Sequence, residues 1–219
     1  MANFFIRLNK YKYYYLMLLP AAIGFTLFFY FPLYGVQIAF KDYLFLEGIW
    51  ASPWVGFEHF EDLFGSVFFW RVLKNTLIIS SLKLLFGFPA PIILAILFNE
   101  IRVRWVKRFS QTISYLPHFM SWVILAGIFK EILSPTSGVV NYVISLFGGD
   151  PIYFLGDVDY FVGTLIATHV WQTIGWGSII YLAAISAINQ EQYEAATIDG
   201  ATRFQKIMRI TVPSLIPIM

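Results

Sequence analysis

Long apolar stretches alternate with short polar segments along most of this chain. The residues from Tyr13 to Phe40 include no charged side chain over 28 positions. Because a helix needs about 20 apolar residues to cross a bilayer, this stretch predicts a transmembrane helix. Three more stretches follow at 77–98, 111–129 and 161–188. The pattern predicts an all-α fold, a polytopic transmembrane helix bundle with four complete spans.

The last residues of the chain, Pro213 to Met219, are predicted to begin a fifth span. Proline suits the first turn of a helix, where its missing N–H costs nothing, and most of the residues after it are apolar. A segment this short cannot cross the membrane. We therefore expect the chain to be C-terminally truncated, the N-terminal part of a longer protein.

The composition supports a membrane protein and narrows the classes of function. Hydrophobic residues make up 58% of the chain, charged residues 13%, and the mean hydropathy is +0.68. Soluble domains average about 25% charged residues, so we expect the lipid bilayer to be the solvent. The net charge of +2 does not indicate a nucleic-acid partner. The absence of cysteine excludes disulfides and thiolate metal sites.

The positions of lysine and arginine predict the orientation. Ten of the 15 basic residues fall in the N-terminal tail, in the 102–108 segment and in the segment after the fourth stretch. Cytoplasmic loops of membrane proteins carry an excess of Lys and Arg. The N-terminus and the segment 189–212 are therefore predicted to face the cytoplasm.

The segment 189–212 has the most distinctive pattern in the chain. The residues from Gln190 to Ile198 lack Gly and Pro and predict a short helix, and Asp199-Gly200 predicts a turn. The residues from Ala201 to Ile210 predict a second short helix. Two helices at an angle would form a compact knob between two spans.

This segment resembles the cytoplasmic EAA loop of binding-protein-dependent ABC importers. The resemblance rests on Glu194-Ala195-Ala196, on Asp199-Gly200-Ala201 and on the later Pro213 and Pro217. The segment from Val55 to Phe60 resembles the lead-in to the core of sugar-importer permeases. The segment from Ser114 to Phe119 with Ser121-Trp122 is similar to the branch that imports oligosaccharides and polysaccharide fragments. The similarity covers most of residues 10–217.

The resemblance implies that this chain is a permease subunit and that other chains hydrolyse ATP. It implies a docking site for the ATPase, formed by Glu194, Ala195, Ala196, Asp199, Gly200 and Ala201. It also implies partners: two ATP-binding subunits, a second permease subunit that is a related but different chain, and an extracytoplasmic solute-binding protein. We expect no cofactor in this chain, since ATP and Mg would be bound by the partner ATPase, and a multi-pass location in the plasma or inner membrane.

With this resemblance the chain is predicted to have four parts. They are a cytoplasmic tail at 1–12, a first transmembrane helix at 13–40, an extracytoplasmic loop at 41–76, and an incomplete permease core at 77–219 that includes the coupling loop 189–212.

Sugars are bound by aromatic faces and by side chains that hydrogen-bond hydroxyl groups. The candidates for the substrate path are Gln172, Trp176 and Trp122, which lie in the third and fourth apolar stretches. Tryptophan near a span end is also typical of interfacial anchoring, so both interpretations stay open here.

Two alternatives to a sugar permease remain. One is an importer permease for a different solute, such as an amino acid, a phosphate ester or a peptide. The other is a membrane enzyme, which would need acids, a metal site or a nucleophile–base pair at membrane depth. The sequence contains no HExxH motif and no Walker A motif, and no catalytic or metal-binding residue is predicted.

Overall fold

The computed structural model describes residues 10–219, and their regular structure is helical. Over that range there is no strand, only an isolated β-bridge between Lys41 and Trp54. The predicted all-α fold is confirmed. The predicted N-terminal tail at 1–12, with Arg7, lies almost wholly outside the described residues. The chain divides into two compact units, 1–73 and 74–219.

The first unit contains one long helix followed by short ones. Its elements are α1 (Lys12–Phe25), a π-helical turn (Thr26–Tyr30), a 3-10 segment (Phe31–Phe40), α2 (Gly48–Ala51), α3 (Glu58–Gly65) and the first residues of α4 (Val67–Gly87). The first three continue as one helix of 29 residues, Lys12–Phe40. None of its residues is buried within the protein, as suits a helix that faces lipid. It coincides closely with the first predicted span.

Residues 41–66, called the 41–66 cap below, fold around a buried lysine. Lys41 is 4% exposed. Its ammonium group donates hydrogen bonds to the carbonyl oxygens of Ile49 at 2.7 Å and Trp50 at 3.3 Å, and it lies 4.8 Å from the ring centroid of Trp54. A buried charge needs such partners to offset its lost hydration. The cap is thus organised from within by one charged side chain.

The second unit contains the remaining helices. Its elements after α4 are α5 (Pro89–Glu100), α6 (Arg104–Tyr115), a 3-10 turn (Leu116–Phe119), α7 (Trp122–Ile132), α8 (Val139–Leu146), α9 (Val158–Ser186), α10 (Gln190–Ile198), α11 (Arg203–Lys206), a π-helical turn (Ile207–Thr211), α12 (Val212–Leu215) and a final 3-10 turn (Ile216–Ile218).

The core of this unit forms where α5 packs against α9. Its buried side chains are Ile92, Ala95, Ile185 and Leu215. Small residues bring backbones close together in membrane helix bundles, and Gly175 of α9 is an example, because a Cβ there would overlap the carbonyl group of Ser114. The end of α6 therefore rests directly on the backbone of α9.

The spans differ in continuity. Lys12–Phe40 and Val67–Glu100 are continuous helices of sufficient length and hydropathy to cross a membrane, and the described residues give up to four spans if each of two bent pairs counts as one. One bent pair is α6 and its 3-10 turn with α7, at 107°. The predicted third span at 111–129 is therefore broken. Four complete spans stay a prediction.

The break is held in place by a long-range contact. Pro117 lies in the 3-10 turn and Met120 is extended, so the backbone cannot continue as a helix. The side-chain amide of Gln172 in α9 donates to the carbonyl oxygen of Met120 at 3.4 Å. Non-helical backbone at membrane depth is tolerated where it is buried in protein or lines a water-filled cavity. The turn thus marks a place where the bundle departs from simple lipid-facing helices.

Candidate functional site

The end of α10 shows why the sequence at 194–201 folds as it does. Gly200 has a φ of +77°, a conformation that costs a residue with a Cβ about 1 kcal/mol or more. Its N–H donates to the carbonyl oxygen of Thr197 at 3.1 Å, and the N–H of Ala201 donates to that of Ala196 at 2.9 Å. These two bonds form a Schellman motif. The predicted turn at Asp199-Gly200 is therefore observed, and it ends α10 sharply.

The next helix begins with a capping box. The hydroxyl oxygen of Thr202 accepts from the backbone N–H of Gln205 at 3.3 Å, and the side-chain carbonyl of Gln205 accepts from the backbone N–H of Thr202 at 2.7 Å. The Thr-x-x-Gln spacing is a known signal for a helix start and is the feature of the sequence from which this cap could have been predicted. The predicted helix at 201–210 is in fact α11 followed by the π-helical turn.

Two side-chain hydrogen bonds join the parts of the 189–212 loop. The ammonium group of Lys206 donates to the hydroxyl oxygen of Thr197 at 2.6 Å, which ties α11 to α10. The hydroxyl groups of Tyr193 and Thr211 are 2.8 Å apart, which ties α10 to the π-helical turn. Sequence reasoning missed all four residues, because such contacts depend on how the two short helices are angled.

The loop borders two neighbouring grooves, and between them they are lined by five of the six predicted docking residues, whereas Ala195 lines neither. Glu194 lines the first groove, of about 330 Å³, together with Arg102, Arg203 and Lys206. The second groove, of about 350 Å³, is lined among others by Ala196, Asp199, Gly200 and Ala201. Lys206 borders both. Residues two apart on a helix point about 200° apart, so Glu194 and Ala196 lie on opposite sides of α10.

The surface of the loop is open. Glu194, Ala195, Asp199 and Gly200 are exposed, whereas Ala196 and Ala201 are partly buried. Two large apolar side chains stand out, Ile198 at 87% and Phe204 at 70% exposure. The loop therefore presents carboxylates that can accept from a cation, methyl groups that allow close approach, and apolar side chains that a partner can cover.

The three residues predicted for a substrate path occupy different settings. Gln172 is 6% exposed and bonded to Met120. Trp176 is half-exposed, and its ring is stacked on His118 with centroids 4.8 Å apart. Trp122 begins α7, directly after the break, and is also half-exposed. Gln172 and Trp176 thus both border the broken segment, and their role in a path stays a prediction.

No group of three or more His, Asp or Glu residues is arranged to hold a metal ion within the described part of the chain.

The sequence of this chain is similar to one protein family and to individual transport proteins. The family described as "Binding-protein-dependent transport system inner membrane component" matches residues 87–219. The polygalacturonan/rhamnogalacturonan transport system permease protein YteP of Bacillus subtilis is 46% identical over 210 residues, which are 96% of this chain and 65% of that protein.

Two solved structures resemble this chain in fold and sequence. The crystal structure of a bacterial ABC transporter involved in the import of the acidic polysaccharide alginate gives a TM-score of 0.88 at 46% identity, covering 98% of this chain and 72% of the other. The crystal structure of a bacterial alginate ABC transporter in complex with an alginate pentasaccharide-bound periplasmic protein gives a TM-score of 0.86 at 46% identity. It covers 96% of this chain and 69% of the other.

The chain spans somewhat less than two thirds of the length of curated relatives such as YteP, at 65%. The family match nevertheless covers more than half of this chain, and it includes the whole 189–212 loop. On this similarity of sequence and fold, the chain belongs to the family of binding-protein-dependent transport system inner membrane components.

Proposed function

We propose that this chain is the membrane-spanning permease subunit of an ABC importer that carries a sugar or oligosaccharide. The observation that carries the proposal is the 189–212 loop, in which two capped short helices form an exposed knob between α9 and α12. ATP would be hydrolysed in a separate subunit that docks on this knob. This chain itself then needs no ATP or Mg site.

The docking surface is made of both grooves of the loop. Glu194 would accept hydrogen bonds from a basic side chain of the ATPase, and the methyl groups of Ala195 and Ala196 would allow close approach. Ile198 and Phe204, which are exposed here, would be covered by the ATPase. In this arrangement the loop and the N-terminus face the cytoplasm, in agreement with the distribution of Lys and Arg.

The transport cycle is a two-state equilibrium biased by ligands. The ATPase pair would bind this chain and a second, related permease chain, and a solute-binding protein would dock on the opposite face. ATP and the loaded binding protein would each favour one arrangement of the helices by binding it more tightly. The comparison with an alginate transporter bound to a periplasmic protein supports this set of partners.

An oligosaccharide is the cargo that the comparisons favour. YteP is named for polygalacturonan and rhamnogalacturonan transport, and the solved neighbour is described as importing alginate. A permease for an amino acid, a phosphate ester or a peptide is the second candidate, because a docking loop by itself does not select cargo. Family membership gives no support to the membrane-enzyme alternative.

The substrate path would run along the broken segment between α6 and α7. Trp176 and Trp122 offer half-exposed aromatic faces there, and aromatic faces suit sugar rings. Gln172 would fix the wall of the path by holding the carbonyl group of Met120. A path at this place is consistent with non-helical backbone that lines a water-filled cavity.

Co-purification tests the proposed function. The full-length chain would be expressed with candidate ATPase, permease and binding-protein partners, and recovery of the ATPase would be compared with a Glu194→Lys/Gly200→Pro variant. We expect recovery with the wild type and loss with the variant. Absence of the ATPase from both would contradict the docking role and with it the importer function. Uptake of oligosaccharides compared with amino acids and peptides would then separate the two cargo classes.

Thiol labelling tests the path. The chain has no cysteine, so single-cysteine variants need no prior replacements. A cysteine at Trp176 should react with a charged, water-soluble thiol reagent, and an oligosaccharide that is taken up should slow the reaction. Ala167→Cys is the matched control and should stay unreactive, because Ala167 is exposed on the same helix but lies nine positions from Trp176 and therefore on its opposite side. Equal reaction at both positions, unaffected by sugar, would count against the path.

A further inference from the structure

Tyr193 and Thr211 line the first groove of the loop, but their hydroxyl groups bond each other and are not among the contacts proposed for the ATPase. The two hydroxyl oxygens are 2.8 Å apart across 18 residues of sequence. Tyr193 lies in α10, one residue before Glu194. Thr211 is 2% exposed and is the last residue of the π-helical turn. The bond therefore joins the proposed docking helix to a buried position.

The surroundings of α10 give this bond its importance. No residue of α10 is buried, so packing alone holds the helix weakly. The bond between Lys206 and Thr197 ties α10 only to α11, which is equally exposed. Among the side-chain hydrogen bonds of the described residues, the Tyr193–Thr211 bond is the one that connects α10 to the far end of the loop.

Thr211 is in turn linked to the core of the unit. It directly precedes α12 (Val212–Leu215), and Leu215 is fully buried against Ile92, Ala95 and Ile185. Thr211 and Leu215 are four positions apart, so both lie on the same side of a helix. A displacement of α10 that keeps the Tyr193–Thr211 bond must therefore move the packed helices or bend the π-helical turn. Such turns are frequent at functional sites.

We propose that Tyr193 and Thr211 are positioning residues that transmit movement of the ATPase-bound helix α10 to the core of α5, α9 and α12. This inference rests on the proposed function, since it assumes that an ATPase grips α10. Neither residue touches the cargo or ATP. Without the bond the ATPase still docks on Glu194 and its neighbours, but α10 moves without carrying the core with it.

The test uses the full-length chain assembled with its partners in lipid nanodiscs and in vesicles. Tyr193→Phe and Thr211→Val each remove one hydroxyl group. We expect normal recovery of the ATPase and continued ATP hydrolysis, with about a five-fold loss of solute taken up per ATP hydrolysed, as one hydrogen bond is worth about this factor. The double variant should show the same loss as either single variant, because the two groups act through one bond.

Conservative and distant variants serve as controls. Thr211→Ser keeps the hydroxyl group and should restore the uptake per ATP. Tyr142→Phe removes a hydroxyl group from an exposed tyrosine outside the loop and should leave the ratio unchanged. The positioning role is wrong if Tyr193→Phe recovers the ATPase normally and its uptake per ATP is unchanged. It is also wrong if the losses of the two single variants multiply in the double variant. In both cases the importer function stands. If the wild type recovers no ATPase, both proposals fail.

Discussion

The 41–66 cap and the 189–212 loop are both short polar connections next to long helices, and a lysine braces each of them. In the cap, Lys41 is buried and its ammonium group is held by two carbonyl oxygens and a tryptophan ring. In the loop, Lys206 is only partly buried and donates to one hydroxyl group. The cap is thus organised around its interior, whereas the two helices of the loop have no interior at all.

The difference indicates what each connection is built to do. A segment organised around a buried charge resists displacement, because removing any partner leaves a costly unpaired group. A segment whose shape depends on helix caps and exposed hydrogen bonds has no buried charge that must stay paired. Its surface is therefore free to contact a partner. The loop is the part that suits docking and movement, and the four substitutions below test this contrast.

Lys41→Met should give the largest change, because it removes a buried ammonium group and leaves the carbonyl oxygens of Ile49 and Trp50 without this donor. We expect the free energy of unfolding of the cap to fall by about 3 kcal/mol. Hydrogen exchange of the Leu44 amide, which donates to Ser52, reports on the cap. Lys74→Met, at an exposed lysine, is the control. If the Leu44 amide exchanged at the same rate in both variants, burial of Lys41 would not be what stabilises the cap.

Gly200→Ala should come second, because its φ of +77° strains any residue with a Cβ. We expect a cost of about 1 kcal/mol, seen as faster hydrogen exchange of the Ala201 amide. Gly65→Ala in the cap is the matched variant, since Gly65 has no positive φ and a Cβ there would meet no atom within 4 Å. A comparable loss of stability in Gly65→Ala would show that the positive φ of Gly200 is not the cause of the effect.

Thr202→Ala should cost the loop about 1 kcal/mol or somewhat less, because it removes the hydroxyl half of the capping box. The amide of Gln205, which loses its acceptor, should exchange faster. Thr202→Ser retains the acceptor and should exchange like the wild type. Equal protection in all three proteins would mean that the cap of α11 contributes nothing to the shape of the loop.

Lys206→Met should have the smallest effect on stability, at most about 0.5 kcal/mol, because its bond to Thr197 lies at an exposed position. The comparison with Lys41→Met isolates the effect of burial, since the same side chain is replaced by the same residue. Hydrogen exchange across α10 is the measurement. If Lys206→Met lowered stability as much as Lys41→Met does in the cap, the lysine of the loop would be as important to its stability as the buried lysine is to the cap.

The continuous helices and the turn at Gly200 could be predicted from the sequence because their causes are local. Length and hydropathy specify a span such as 13–40, and Asp-Gly specifies the end of α10. The break between Phe119 and Trp122 was not predicted, since no charged residue interrupts the apolar stretch 111–129. Pro117 was the available signal, but the contact from Gln172 that holds the break is 52 residues away.

The burial of polar residues could not be predicted from the sequence either. Lys41 falls at the start of the predicted extracytoplasmic loop 41–76, where a lysine is expected to be exposed, yet it is 4% exposed. Asn141 lies in α8 and is only 3% exposed, and its side-chain amide donates to the carbonyl oxygens of Leu133, Ser134 and Ile152. Burial of such groups follows from the three-dimensional path of the chain, for which the sequence pattern gives no sign.

The break between α6 and α7 also has a consequence for the biogenesis of the protein. The two helices have 12 and 11 residues, or about 18 and 16 Å, and each is shorter than the roughly 30 Å of a bilayer core. Their junction is held by Gln172 and rests near Gly175, both of which belong to α9. Because α9 follows α7 in the chain, it leaves the ribosome later, so the junction of α6 and α7 has its packing partners only after this later helix has arrived.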